Sequence, residues 1–282
     1  MFTTASTVPS AATYSPSRTS TARPPASRPS HTTTPSQPGA GTAGAKASGS
    51  PLPTRSTTAV PPTVGGPVAS KSALPATTTA GYKLFTNPDG SVVRWNPCAP
   101  IHYSANIAQA TDPAGALRDL QAAVASVAAA SGLTFAYDGP TTTIPTKAWL
   151  NAGGSASRIV VAWAPAGSSS GHSDLFGSDA DGEGGWWESG TSVNGARWVW
   201  QIMRGFVVVD PVRTATYAAG FGTGTTRGAL LMHEFAHAIG LGHATDRRDL
   251  MFPLIGASTR AVWGPGDLLA LKLVGGGAGC IA

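Results

Sequence analysis

His233-Glu-Phe-Ala-His237-Ala-Ile-Gly240-Leu-Gly-His243 is the stretch on which the reading of this 282-residue chain turns. Its composition up to Gly240 is that of a helix, and on a helix residues four apart lie one turn above each other. His233 and His237 therefore aim their imidazoles at one point. A helix continuing past Gly240 would carry His243 away from that point. Glycine tolerates a left-handed backbone, so the chain can turn sharply there and bring the third imidazole back. Three neutral imidazoles satisfy a zinc ion on three sides and leave a fourth position for water, the pattern of a catalytic rather than a structural zinc. Glu234 projects beside the metal rather than onto it. Zinc lowers the pKa of a bound water to about 7, and Glu234 is placed to take that water's proton during attack on a carbonyl and to pass it to a departing amine. Two plainer readings stand beside this one: a buried helix with incidental histidines, and a site that holds zinc but no longer cleaves.

Outward from the motif, the chain divides by composition. Residues 1–80 are rich in Ser, Thr, Pro, Ala and Gly, have no Trp or Cys, and show no apolar periodicity. Such a segment buries too little apolar surface to offset its ordering entropy. It reads as a disordered tail or linker, with a composition that resembles an extracellular linker or an O-glycosylated stalk. Residues 81–282 hold all eight Trp and read as one globular domain. The net charge of +5 belongs to the tail, which carries Arg18, Arg23, Arg28, Lys46, Arg55 and Lys71 and no acid; the rest sums to −1. Single charges spaced among prolines keep a linker soluble, and the near-neutral remainder speaks against nucleic acid as a partner.

No stretch approaches the roughly 20 apolar residues of a membrane span. The first 30 residues lack the apolar run of about 7 to 15 that a secretory signal needs. Cys98 and Cys280 point the other way, because a bond between them would join the two ends of the domain and requires an oxidising compartment; two unpaired buried thiols are the alternative. The expectation is a secreted or cell-surface monomer whose export signal lies outside this sequence, with cell-surface or cell-wall association through the tail as a further option.

Within the domain, Ile101–Asn106 alternates apolar and polar residues as a strand does. Asp112 and Pro113 open a helix on which Leu117, Leu120, Val124 and Val127 share a face, with Gly132 as the stop. Residues 133–137 and 158–164 read as strands, the second apolar enough to be central. Residues 165–194, rich in Gly, Ser and Asp, read as a long surface loop. Residues 198–202 read as an edge strand along which an extended substrate would lie, and 205–209 as a buried strand. Residues 220–226 turn into the histidine helix, and 268–274 form a last helix capped by Asp267. Strands and a helix followed by the motif helix suit a mixed sheet.

The run 233–243 matches HExxHxxGxxH at every fixed position, and here the chain resembles the metzincin zinc metalloproteases. Asp249-Leu250-Met251-Phe252-Pro253 resembles the turn that follows in that family, and Met251, eight residues beyond His243, has a spacing similar to the matrixin branch. The resemblance implies an α+β, zincin-like fold: a twisted mixed sheet of about five strands, a core helix, a zinc-bearing active-site helix and a C-terminal helix. It implies one catalytic Zn2+ held by His233, His237 and His243, Glu234 as the catalytic residue, Gly240 at the turn and Met251 as an apolar floor. The activity implied is zinc-dependent endopeptidase action on extracellular proteins. A zinc-stabilised cell-surface binding module without hydrolytic activity and a cell-wall amide hydrolase are the alternatives.

There are departures from that pattern. Matrixins carry a second, structural zinc on a His-x-Asp pair and two later histidines. His172-Ser173-Asp174 resembles the pair, yet no His occurs between His172 and His233, so His172 reads better as an ordinary loop histidine. Asp179, Asp181 and Glu183, interleaved with glycines, resemble a loop that would bind Ca2+, and a solvated acidic loop accounts for them equally well.

Overall fold

The computed structural model describes residues 81–152, 158–193 and 197–281. The expected tail, 1–80, lies outside the described residues. The elements run β1 (Ile101–Asn106), α1 (Pro113–Ser131), β2 (Phe135–Pro140), α2 (Lys147–Asn151), β3 (Arg158–Trp163), β4 (Gly182–Val193), β5 (Arg197–Val209), α3 (Arg227–Ala238) and α4 (Pro265–Val274), then a 3-10 turn at Gly276–Ala278.

One five-stranded mixed sheet has the order β2-β1-β3-β5-β4. The first four of these strands pair in parallel, and β4 is antiparallel to β5 at the edge. Helix α1 begins where Asp112 accepts from the Gly115 N–H and ends at Gly132, whose φ of 72° is left-handed. Its buried Leu120, Val124 and Val127 join the main core. Strand β3 is central and almost wholly buried. The sheet has apolar groups on both faces: along β5, Val207 and Val209 enter the main core, while the alternate Phe206 and Val208 enter a second cluster with Leu150, Phe176 and Trp187. The fold is thus α+β, with a five-stranded mixed sheet and three longer helices, consistent with the zincin-like arrangement that the motif implies. No helix among the described residues is long and apolar enough to cross a membrane.

Three local expectations need correction. Residues 182–193 are not loop but the longest-paired strand of the edge, in register with β5 from Gly182↔Val209 to Val193↔Arg197. The glycines that made this segment look like a turn allow close approach instead: a Cβ on Gly190 would stand 2.9 Å from the Trp200 ring. Residues 198–202 are correspondingly part of β5, which lies between β3 and β4, so the sheet's edge belongs to β4. Finally, Asp267 does not cap the last helix. Gly264 occupies that position, and Asp267, three residues on, accepts from the Gly264 N–H at 2.9 Å. Helix α2, a single turn capped by Thr146, has no counterpart in the sequence reading.

Candidate metal centre and active site

Helix α3 starts at Thr226, whose hydroxyl accepts from the Ala229 N–H at 3.2 Å. Arg227 then fixes the helix to α1: its Nε lies 2.6 Å from Asp119 Oδ2, both side chains nearly buried, and a second nitrogen reaches Asp112 at 3.4 Å. From Gly228 to Ala238 every residue of the helix is buried. His233 and His237 therefore project from a rigid element.

The helix ends as the histidine spacing requires. Gly240 has a φ of 107°, and a Cβ there would meet the Val93 carbonyl oxygen at 2.6 Å. Its N–H bonds to the His237 carbonyl, and the Leu241 N–H to the Ala236 carbonyl. This turn returns His243 to the helix. The Nε2 atoms of His237 and His233 lie 3.1 Å apart, and those of His237 and His243 3.2 Å apart. Among the described residues these three form the single group of three or more His, Cys, Asp or Glu ligand atoms within 4.8 Å of one another.

Protonation decides what this cluster can hold. His233 Nδ1 donates to the Leu250 carbonyl at 2.8 Å and His237 Nδ1 to the Leu241 carbonyl at 2.7 Å. A neutral imidazole has one N–H, so both Nε2 atoms present lone pairs. Burial, with His243 nearby, lowers the His233 pKa to about 4. Burial and the two neighbouring rings hold His237 well below its ordinary value, and burial with Lys83 nearby lowers His243. Lone pairs packed this closely repel unless a cation sits between them. Four-coordinate zinc with Zn–N near 2.05 Å separates its nitrogen ligands by about 3.3 Å, close to the spacing found. The donor set fits Zn2+, and the carbonyls behind the rings fix their tautomer and orientation.

Glu234 follows on the same helix and faces the start of β4. A Cβ on Gly184 would lie 1.9 Å from the Glu234 carbonyl oxygen, so only glycine lets the strand pass. The Gly184 N–H donates to the Glu234 carboxylate, while burial first, and then Glu183 and Asp181, raise its pKa well above the ordinary carboxylate range. Met251 is 1% exposed, and its carbonyl accepts from Ala244, the residue after His243. Asp267 holds this turn from behind, accepting from the Leu250 N–H at 2.5 Å and the Met251 N–H at 3.2 Å. Neither Asp267 nor Gly184 stood out as a site residue in the sequence; the one available signal was an acid two residues after the Gly264-Pro265 pair.

Elsewhere, Cys98 and Cys280 are joined, with Cα atoms 5.4 Å apart. Asp179, Asp181 and Glu183 are not gathered into a cation site. Glu183 sits on β4, where burial raises its pKa to about 7, and Asp181 accepts from Arg213 Nε at 2.8 Å and Tyr217 Oη at 2.6 Å. His172 Nδ1 faces the Ser170 carbonyl at 3.2 Å, and Asp174 accepts from the Lys147 N–H at 2.7 Å.

A five-stranded sheet with one antiparallel edge, a buried histidine helix beneath it and a third histidine returned by a glycine turn are similar to the catalytic domain of the matrixin-like metzincins, a class of zinc metalloproteases. The Matrixin family model matches residues 157–265 of this chain, from the central strand through the three histidines to the start of α4. No curated protein matches the chain.

Proposed function

We propose that the chain is a zinc-dependent endopeptidase acting on proteins outside the cell, with His233, His237 and His243 as the zinc ligands and Glu234 as the catalytic base. The observation that carries the reading is the convergence of three imidazole Nε2 atoms beside a buried carboxylate. Bound there, zinc supplies Lewis acidity, lowering the pKa of water to about 7 and polarising a carbonyl. The chain's own groups do the rest. Glu234 accepts the proton of the attacking water at its carboxylate, a transfer favoured by a raised pKa, and delivers it to the amine as the peptide bond breaks. The Gly184 N–H holds that carboxylate toward the site. Strand β4 ends the sheet, so one row of its N–H and C=O groups is unpaired, and an extended peptide can add to that edge by main-chain hydrogen bonds.

The bond between Cys98 and Cys280 supports export, because such bonds persist in oxidising compartments. Residues 1–80 are proposed as a Ser/Thr/Pro-rich linker preceding a catalytic domain of 81–282. The test is digestion of a proteome-derived peptide library by the zinc-loaded protein. Cleavage should vanish with a chelator, return with Zn2+, and fall by at least about 100-fold in Glu234→Ala while that variant still binds one zinc. Undiminished hydrolysis by Glu234→Ala would remove the proposed mechanism; no hydrolysis by the unaltered protein would favour a binding module.

A further inference from the structure

The segment ahead of β1 forms one wall of the site. Leu84 bridges Leu241, the Gly242 N–H donates to the Lys83 carbonyl at 2.9 Å, and the Val93 N–H donates to Phe85 at 3.0 Å. Lys83 is thereby laid along the turn that delivers His243. A Cβ on Gly242 would touch Lys83 Cβ and Cγ at 3.2 Å, so the side chain's stem runs beside the residue immediately before the third histidine. Its Nζ stands 5.3 Å from the Phe85 ring centre. Phe85 in turn meets Trp186 of β4 edge-on, with centroids 4.7 Å apart. Lys83, Phe85 and Trp186 thus run from His243 to the edge strand.

The charge on this wall is placed for use. Lys83 is exposed, and among the described residues it makes no ion pair. A peptide crossing the site therefore meets a cation over an aromatic face on the His243 side.

We propose that Lys83 is a specificity-determining residue that recognises a substrate carboxylate on the His243 side of the scissile bond. This rests on the peptidase reading above. An exposed cation attracts a matching carboxylate and disfavours a cation at the same place, which is discrimination by charge rather than by bulk affinity. The carboxylate can come from an Asp or Glu side chain or from a peptide's own C-terminus.

The experiment uses the full zinc-loaded chain and end-blocked peptides of one sequence in which Glu, Gln or Lys is scanned through the positions flanking the cleaved bond. A Gln peptide with a free C-terminal carboxylate is added. At one position Glu should exceed Gln in kcat/KM by about three- to fivefold, the scale of an exposed ion pair, through KM, and the excess should shrink with added salt. Lys83→Met should abolish the preference, Lys83→Arg keep it and Lys83→Glu reverse it toward Lys, with the Gln peptide cleaved equally by all. A gain confined to the free-terminus peptide assigns the carboxylate to the C-terminus. The proposal is overturned if Glu:Gln ratios are the same in Lys83→Met as in the unaltered protein, or if Lys83→Met lowers Gln and Glu peptides alike. Absence of any cleavage by the unaltered protein overturns the peptidase reading and this inference with it.

Discussion

At the scale of single residues, the site depends on glycines as much as on histidines. Gly240 has a backbone that L side chains seldom adopt, and a Cβ would press on the Val93 carbonyl at 2.6 Å. Gly240→Ala should therefore cost at least about 1 kcal/mol for the left-handed backbone alone, with the contact adding to it. Urea unfolding should show a lower midpoint, and zinc affinity should fall with it, because the turn sets where His243 arrives. Gly184 makes a similar demand for a different reason: its φ is unremarkable, but a side chain there would overlap the Glu234 carbonyl. The histidines themselves are neutral by environment. Burial and mutual proximity suppress their charged forms, so the nitrogen lone pairs remain available to a metal at neutral pH.

At the scale of elements, the turn after His243 and helix α4 act as one unit through Asp267. Its carboxylate accepts from the backbone N–H groups of Gly264, Leu250 and Met251, and the Leu250 carbonyl holds His233. Asp267→Ala leaves three buried donors without an acceptor, at about 1–3 kcal/mol each. The expected result is a loss of about 3 kcal/mol or more in chemical denaturation, together with weaker zinc binding as His233 loses its orienting carbonyl. The pH dependence has a definite sign. Burial raises the Asp267 pKa from 3.8 to about 6, against the three N–H groups that lower it and with Asp249 adding to the rise. The folded protein then keeps a proton that the unfolded chain has released between about pH 4 and 6. Stability linked to this group is full below pH 4 and is lost as pH rises through 6. Unfolding measured from pH 3.5 to 7.5 should show that slope in the unaltered protein and a flatter one in Asp267→Asn; identical slopes would refute the assignment.

At the scale of the whole domain, the Cys98–Cys280 bond closes a loop across 182 positions. Arg94 and Asn96 reinforce the closure by donating to the Gly279 and Ile281 carbonyls at 2.8 and 3.2 Å. Reduction, or the double change Cys98→Ser and Cys280→Ser, should lower stability by about 2–5 kcal/mol. The histidine cluster is held by α3, the turn at Met251 and the pairing of Lys83 and Leu84 with the His243 turn, all made by hydrogen bonds and packing apart from the disulfide, so zinc content should survive reduction at moderate temperature. Thermal melts with and without reductant, each with zinc quantified, separate the two effects.

What could be read directly from the chain was what depends on neighbours in sequence. The i, i+4 histidines, Gly240, the caps at Asp112 and Gly132, and the alternating strand at Ile101–Asn106 each declare themselves within one or two turns of backbone, because helix periodicity and left-handed turns are local properties. The sheet's edge did not. The glycines of Gly182–Val193 signalled loop, and only pairing with β5 and the close passage of α3 explain why the strand has no side chains there. The acids at 179, 181 and 183 looked like one cluster because spacing in sequence does not show that Asp181 meets Arg213 and Tyr217 while Glu183 is buried on β4. Likewise the acceptors behind His233 and the anchor at Asp267 join residues 16 or 17 positions apart. The three histidines and the helix that carries two of them were thus set by local sequence, whereas the acceptor behind His233, the strand that borders the helix and the Lys83 wall beside His243 were decided by tertiary structure, because hydrogen-bond partners and burial exist only once distant segments pack.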